Sequence, residues 1–139
     1  MKQLSIFEQP TLNVLRDIKL AMAAAYRSSG MSIDQVCDKV NGLAERHGVC
    51  VVKGRGQRLT VDTLQKWLNP EDTTRYPSIK VLPVLCAVLA NTTDPIQAMV
   101  APLGWKVIDE QDAKMLEWAK LHHNAKDINR RIKKLEAEL

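Results

Sequence analysis

Residues 58–69 have the sequence RLTVDTLQKWLN, and Pro70 follows them directly. Thr60 is a residue type that caps helix N-termini, and Asp62 falls in the first turn, where the helix dipole favours a carboxylate. Apolar residues recur between these ends at three- and four-residue steps and form one stripe. The stretch therefore predicts a short helix of about two to three turns with one polar face.

The polar face of this helix carries side chains that hydrogen-bond to base edges, and basic residues precede it. This pattern is typical of a recognition helix. The predicted DNA-binding residues are Lys53, Arg55, Arg58, Thr60, Thr63, Gln65 and Lys66. Those from Thr60 onward would meet base edges in the major groove, and the three before it would hold phosphates. The alternative is a small amphipathic core helix with a solvated face.

The positive charge of the chain is concentrated just before this helix. The net charge is +4; thirteen Lys or Arg and nine Asp or Glu precede Ile108, and seven of each follow it. From Arg46 to Lys66 there are five cations and a single acidic residue, Asp62. A local basic cluster suits counterion release from a phosphate backbone, so double-stranded DNA is the expected partner. The alternative is a basic loop that is only solvated.

Composition predicts an all-α fold. The 139 residues are 45% hydrophobic but include one Phe and two Tyr, so the core must be mostly aliphatic. No apolar run is long enough for a membrane span, and we expect a cytoplasmic protein. Of the three cysteines, Cys37 and Cys86 fall on apolar stripes and are expected to be small core residues. Neither a metal site nor a cofactor is predicted, and no catalytic motif indicates an enzyme.

The sequence predicts two helices before residues 58–69. Thr11 is the expected cap of the first, which ends at Gly30 in the left-handed conformation. Ser32 opens a capping box for the second, which ends at His47-Gly48. Residues 49–57 are apolar and β-branched, then basic and glycine-rich, and predict a strand-like segment, a small basic hairpin or a loop.

Two further helices are predicted after Pro70. Ser78 is the expected cap of a core helix in which Pro83 lies in the first turn or causes a kink. Asp94 is the expected cap of a short helix with Pro95 at its first position. The compact domain is predicted to span residues 11–108.

Residues 109–139 predict a long coiled-coil helix. Its apolar residues are alternately three and four positions apart, as in a heptad seam. The seam residues are Trp118, Leu121, Ala125, Ile128, Ile132, Leu135 and Leu139. With Trp118 at position a, Arg131 is at g and Glu136 at e, the pairing that favours a parallel dimer. We expect a homodimer or higher homo-oligomer; the alternative is that the helix folds back on its own domain.

This order of helices is that of a compact helix-turn-helix domain of the lambda-repressor-like type. The segment from Leu64 to Cys86, with Trp67, Arg75-Tyr76-Pro77 and Leu82-Pro83, resembles small phage-borne regulators of the CII type and short helix-turn-helix proteins of Mu-like prophages. The resemblance implies a phage or prophage protein that binds operator DNA as an oligomer and controls transcription. One departure is the connection from His47 to Leu59, which is much longer than the usual turn of three or four residues. Either the domain has a basic insertion between its second and third helices or the helix assignment is wrong.

Residues 1–10 form a predicted N-terminal arm with a different function. Gln3, Leu4 and Phe7 lie in a stretch similar to the pentapeptide with which bacterial proteins dock on the replication sliding clamp. The chain would then be an interaction module that docks a replication or transcription protein through this arm or through its coiled coil. Alternatively, the apolar arm residues pack on the protein's own core or on a partner subunit.

Overall fold

The computed structural model describes residues 11–53 and 58–139 of the chain. Within these ranges every regular element is a helix and no strand forms, which confirms the all-α class. The chain divides into two compact units, of which the first ends at Lys106 and the second is Val107–Leu139.

Some predicted residues lie outside the described ranges. They are Arg55 of the DNA-binding set and the arm residues Gln3, Leu4 and Phe7. Their roles stay predictions.

The described residues of the first unit form five α-helices and one short 3₁₀ turn. They are α1 (Leu15–Ser29), α2 (Ile33–Arg46), α3 (Val61–Trp67), α4 (Leu82–Val88), α5 (Asp94–Val100) and the turn Ala101–Leu103. Helix α1 packs against α5, and α2 packs against both α3 and α4.

Local capping defines both ends of the connection between α1 and α2. Gly30 ends α1 with a φ of 70°, the left-handed conformation predicted for it. Ser32 Oγ accepts a hydrogen bond from the Gln35 N–H at 3.2 Å, and Gln35 Oε1 accepts one from the Ser32 N–H at 2.9 Å. The predicted capping box is therefore confirmed.

The predicted start of α1 at Thr11 is wrong. Thr11 Oγ1 accepts a hydrogen bond from the Asn13 N–H at 3.1 Å, two residues along, so its side chain closes a local turn. The helix begins at Leu15, after Val14.

The predicted start of α4 at Ser78 is also too early, because the helix begins at Leu82. Pro83 explains the difference. In a helix starting after Ser78, its ring would clash with the carbonyl group four residues before it, whereas in the first turn its missing N–H costs nothing. Similarly, α5 takes Thr93 as its N-terminal flanking residue, and Asp94 is already the first helical residue.

The core of the first unit is aliphatic, as predicted. The fully buried aliphatic side chains include Met22, Val36, Val40, Leu64, Val81, Leu85 and Leu89. Cys37 and Cys86 are buried free thiols, which confirms their predicted place, and burial raises the pKa of each.

The segment after α2 does not form a strand in its described part, residues 49–53. The Val49 N–H donates to the Ala44 carbonyl oxygen at 2.8 Å, and Val51 is buried. Its β-branched residues therefore pack on the core without strand pairing. A hairpin over residues 49–57 is not formed by the described residues, and residues 54–57 lie outside them.

The second unit is built on α6 (Glu110–Glu138). Asp109 caps it, with one carboxylate oxygen accepting from the Asp112 N–H at 2.7 Å. Every residue of α6 is exposed or half-buried among the residues that the structure describes. Among the described residues, none of the helices combines the length and the apolar character that crossing a membrane requires.

Candidate nucleic-acid interface

The N-terminus of α3 is capped as the sequence predicts. Thr60 has extended backbone geometry, and its Oγ1 accepts a hydrogen bond from the Thr63 N–H at 3.3 Å. The Thr60 hydroxyl also donates to Thr63 Oγ1 at 3.1 Å. These two predicted DNA-binding residues therefore have a structural role, and only Thr60 is exposed; Thr63 is half-buried at the edge of the helix.

The outer face of α3 carries Asp62, Gln65 and Lys66. Leu64 and Trp67 are buried on the opposite face, so the helix is anchored by its apolar stripe and its polar stripe is turned outward. Gln65 is exposed, and its amide can both donate and accept hydrogen bonds. This placement agrees with the predicted outward position of Gln65.

Lys66 and Asp62 form an ion pair one turn apart. Lys66 Nζ donates to Asp62 Oδ2 at 2.9 Å. A surface pair of this kind contributes about 0–1 kcal/mol, so a phosphate could displace the carboxylate from the ammonium group. The charge of Lys66 is thus balanced locally by a carboxylate four residues earlier, a spacing that the sequence of a helix already contains.

The residues just before α3 alternate between core and solvent. Leu59 is buried, whereas Arg58 and Thr60 on either side are exposed. In an extended chain successive side chains point to opposite sides, so burying Leu59 turns both neighbours outward. Lys53 is exposed as well.

A buried amide on α2 fixes this alternation. Asn41 Nδ2 donates to the Leu59 carbonyl oxygen at 2.9 Å, and Asn41 Oδ1 accepts from the Leu59 N–H at 2.7 Å. The Cys37 thiol also donates to the same carbonyl oxygen, at 3.1 Å. Both backbone groups of Leu59 are therefore paired inside the core, and the start of α3 is tied to α2.

A buried lysine on α1 holds the other end of α3. Lys19 Nζ donates to the carbonyl oxygens of Lys66 at 3.0 Å and Asn69 at 3.3 Å, and also to that of Asp72. Burial lowers the pKa of Lys19, and the nearby Asp72 carboxylate partly opposes that shift. The Lys66 carbonyl lies in the last turn of α3 and the other two acceptors lie in the segment that follows, so α3 is fixed at both termini.

Asn41 and Lys19 hold α3 in place, and the sequence interpretation missed both residues. Each has a detectable signal, because each occupies a helical position within an apolar stripe. Lys19 lies four residues after Leu15 and three before Met22, and Asn41 lies four after Cys37.

The predicted seam on α6 is exposed along its whole length. Within the single chain Trp118 is 67% exposed and Ile132 is 47% exposed. The Trp118 ring stacks on His122, with centroids 5.1 Å apart and planes 5° apart. His123 and Asp127 approach to 3.6 Å across one turn. Within the described part of the chain the seam residues therefore form an exposed apolar face.

No group of His, Cys, Asp or Glu side chains within residues 11–53 and 58–139 is arranged to hold a metal ion. The comparisons with protein-family models, with curated proteins and with solved structures give no match for this chain.

Proposed function

We propose that the chain is a sequence-specific DNA-binding regulator of transcription, of phage or prophage type, that acts as an oligomer. The observation that carries the proposal is the outer face of α3. Gln65 is exposed there, Arg58 and Thr60 are exposed just before the helix, and core side chains fix both ends of α3. A rigid helix with an outward polar face can enter a major groove.

In this proposal α2 and α3 are the two helices of a lambda-repressor-like helix-turn-helix. Their direct packing supports the assignment. The connecting residues 47–60 replace the usual short turn, and the exposed Lys53 and Arg58 in this segment would contact the phosphate backbone. Two copies joined through α6 would read half-sites about 34 Å apart.

The roles within the site follow from the contacts. Gln65 reads a base edge, because its amide can donate and accept together. Arg58 binds phosphate, since its charge is fixed and exposed. Lys66 releases the Asp62 carboxylate and binds a phosphate in its place. Thr60 and Thr63 mainly stabilise the start of α3, and the exposed Thr60 also lies beside the DNA.

A gel-shift titration against DNA from upstream of the protein's own coding region tests the proposal. It is run at about 50 and 200 mM salt, beside an unrelated fragment of equal length. We expect a salt-sensitive shift that favours the upstream fragment. Equal affinity for both fragments, or no shift at either salt concentration, would contradict a specific regulator.

The uncovered apolar face of α6 also favours a second candidate, an interaction module that docks a replication or transcription protein through this helix. Light scattering of the purified chain, which measures its oligomeric state, distinguishes the regulator from the interaction module. The module predicts a monomer without DNA affinity, and the regulator predicts an oligomer that shifts DNA.

A further inference from the structure

Helix α6 has a narrow apolar seam whose side chains are exposed among the residues that the structure describes. We infer that α6 pairs with α6 of a second copy in a parallel, in-register coiled coil. This inference rests on the proposed function only because both require the chain to self-associate. It does not require DNA binding. A single helix with an a/d stripe gains by pairing, because the seam then leaves water.

Charged residues beside the seam determine the orientation. With Trp118 at position a, the g positions include Glu117, Arg131 and Glu138. The e positions include His122 and Glu136. In a parallel pair each g residue faces the e residue five positions further along the other chain, whereas in an antiparallel pair g residues face each other.

The parallel alignment brings opposite charges together. Arg131 faces Glu136 of the partner subunit, and symmetry forms this pair twice. Glu117 faces His122 of the partner subunit, a hydrogen-bonding partner that already stacks on Trp118. All seven seam layers are occupied, from Trp118 to Leu139.

The antiparallel alignments bring like charges together. The antiparallel alignment in which the two helices overlap over the greatest length pairs Trp118 with Leu135 of the partner subunit. It places Glu117 opposite the partner's Glu138. If one helix of this antiparallel pair is shifted by one heptad, Arg131 faces Arg131 of the partner subunit, and Trp118 has no seam residue opposite it. Like charges in contact disfavour both alignments.

Disulfide cross-linking of the full chain tests the orientation. Leu139→Cys is made together with Cys50→Ser, because Cys50 is the exposed cysteine, whereas Cys37 and Cys86 are buried. In the parallel pair the two introduced thiols lie in one layer, within disulfide range. In either antiparallel alignment they are more than about 25 Å apart, given a rise of 1.5 Å per residue.

We expect Leu139→Cys to form a covalent dimer at least about tenfold faster than Ala137→Cys, a matched control on the outer side of the same turn. Cross-linking only in a mixture of Leu139→Cys with Lys114→Cys, or with Leu121→Cys, would overturn the inference in favour of an antiparallel pair. A monomer in light scattering would overturn it as well.

Cross-linking and gel-shift measurements on the same samples test the parallel pair and the DNA-binding function separately. A cross-linked dimer without a specific gel shift removes the DNA-binding function and leaves the parallel pair standing. A specific gel shift by chains that do not cross-link at residue 139 removes the parallel pair and leaves DNA binding standing.

Discussion

The side-chain amide of Asn41 pairs with the backbone of Leu59 in both directions, accepting from its N–H at 2.7 Å and donating to its carbonyl oxygen at 2.9 Å. Leu59 separates Arg58 from Thr60, so a buried residue of α2 positions two exposed residues at the start of α3. The stability of the core and the geometry of the proposed DNA-binding face are therefore coupled through one side chain.

Replacing this amide should lower the stability of the first unit. Asn41→Ala leaves the Leu59 N–H buried without its partner, whereas the carbonyl oxygen keeps the Cys37 thiol. We expect a loss of about 1–3 kcal/mol in the free energy of unfolding, measured by urea denaturation. Asn13→Ala, at an exposed asparagine, should change it by less than about 0.5 kcal/mol. Equal losses in the two variants would refute the anchoring role.

Gln65→Ala should relax sequence preference and leave folding intact. Its amide is exposed on α3, so we expect the discrimination between the operator and a single-base variant at the contacted position to fall by about 1–3 kcal/mol. Fluorescence anisotropy with the two duplexes measures this difference. Gln111→Ala, at an exposed glutamine of α6, is the matched control and should keep full discrimination. Unchanged discrimination in both variants would exclude base reading by Gln65.

Arg58→Ala should weaken binding to every DNA sequence alike. A phosphate contact releases about one counterion, so the slope of log affinity against log salt should become shallower by about 1. Binding isotherms at four salt concentrations measure the slope. Arg27→Ala removes the same charge from the last turn of α1 and should leave the slope nearly unchanged. A change in sequence preference with Arg58→Ala would instead indicate a base contact.

Asp72 should make the first unit sensitive to acid. Its carboxylate accepts hydrogen bonds from the Thr74 N–H at 2.9 Å, the Thr74 hydroxyl at 2.9 Å and the Arg75 N–H at 3.2 Å, and these lower the pKa of Asp72. The folded pKa is below the unfolded value of about 3.9, so this stabilisation is present above that value and is lost as pH falls through the folded pKa.

Asp72→Asn should therefore flatten the dependence of the urea midpoint on pH in the acid range. The carboxyl carbon resonance of Asp72, followed by NMR, should titrate below the ordinary range for aspartate. Asp38→Asn, at an exposed carboxylate of α2, serves as the control for the loss of one charge. If Asp72→Asn and the unmodified chain lost stability in parallel from pH 6 to pH 3, the carboxylate would have no such role.

The features predictable from the sequence are those set by neighbours three or four residues apart. The Ser32 and Gln35 capping box, the Thr60 cap and the left-handed Gly30 depend on such local geometry, and the structure contains all three. The apolar stripe of α3 follows from the same periodicity, and this is why Leu64 is buried and Gln65 is exposed.

Features that depend on distant partners could not be predicted. Lys19 binds carbonyl groups about fifty residues away along the chain, and Asn41 binds a backbone eighteen residues away. The sequence shows that a polar residue interrupts the apolar stripe of each helix. It does not show which buried backbone groups form hydrogen bonds with that residue. Likewise, residues 49–52 have strand-like composition, yet a strand forms only where another strand offers its backbone.

Because Lys19 is buried, its amine is less accessible to reagents than the amines of exposed lysines. An acylating reagent can reach the exposed Lys53 in the folded protein, but it can modify Lys19 only after the end of α3 has separated from α1. The labelling rate of this single amine therefore measures how often that junction opens, at equilibrium and without denaturant.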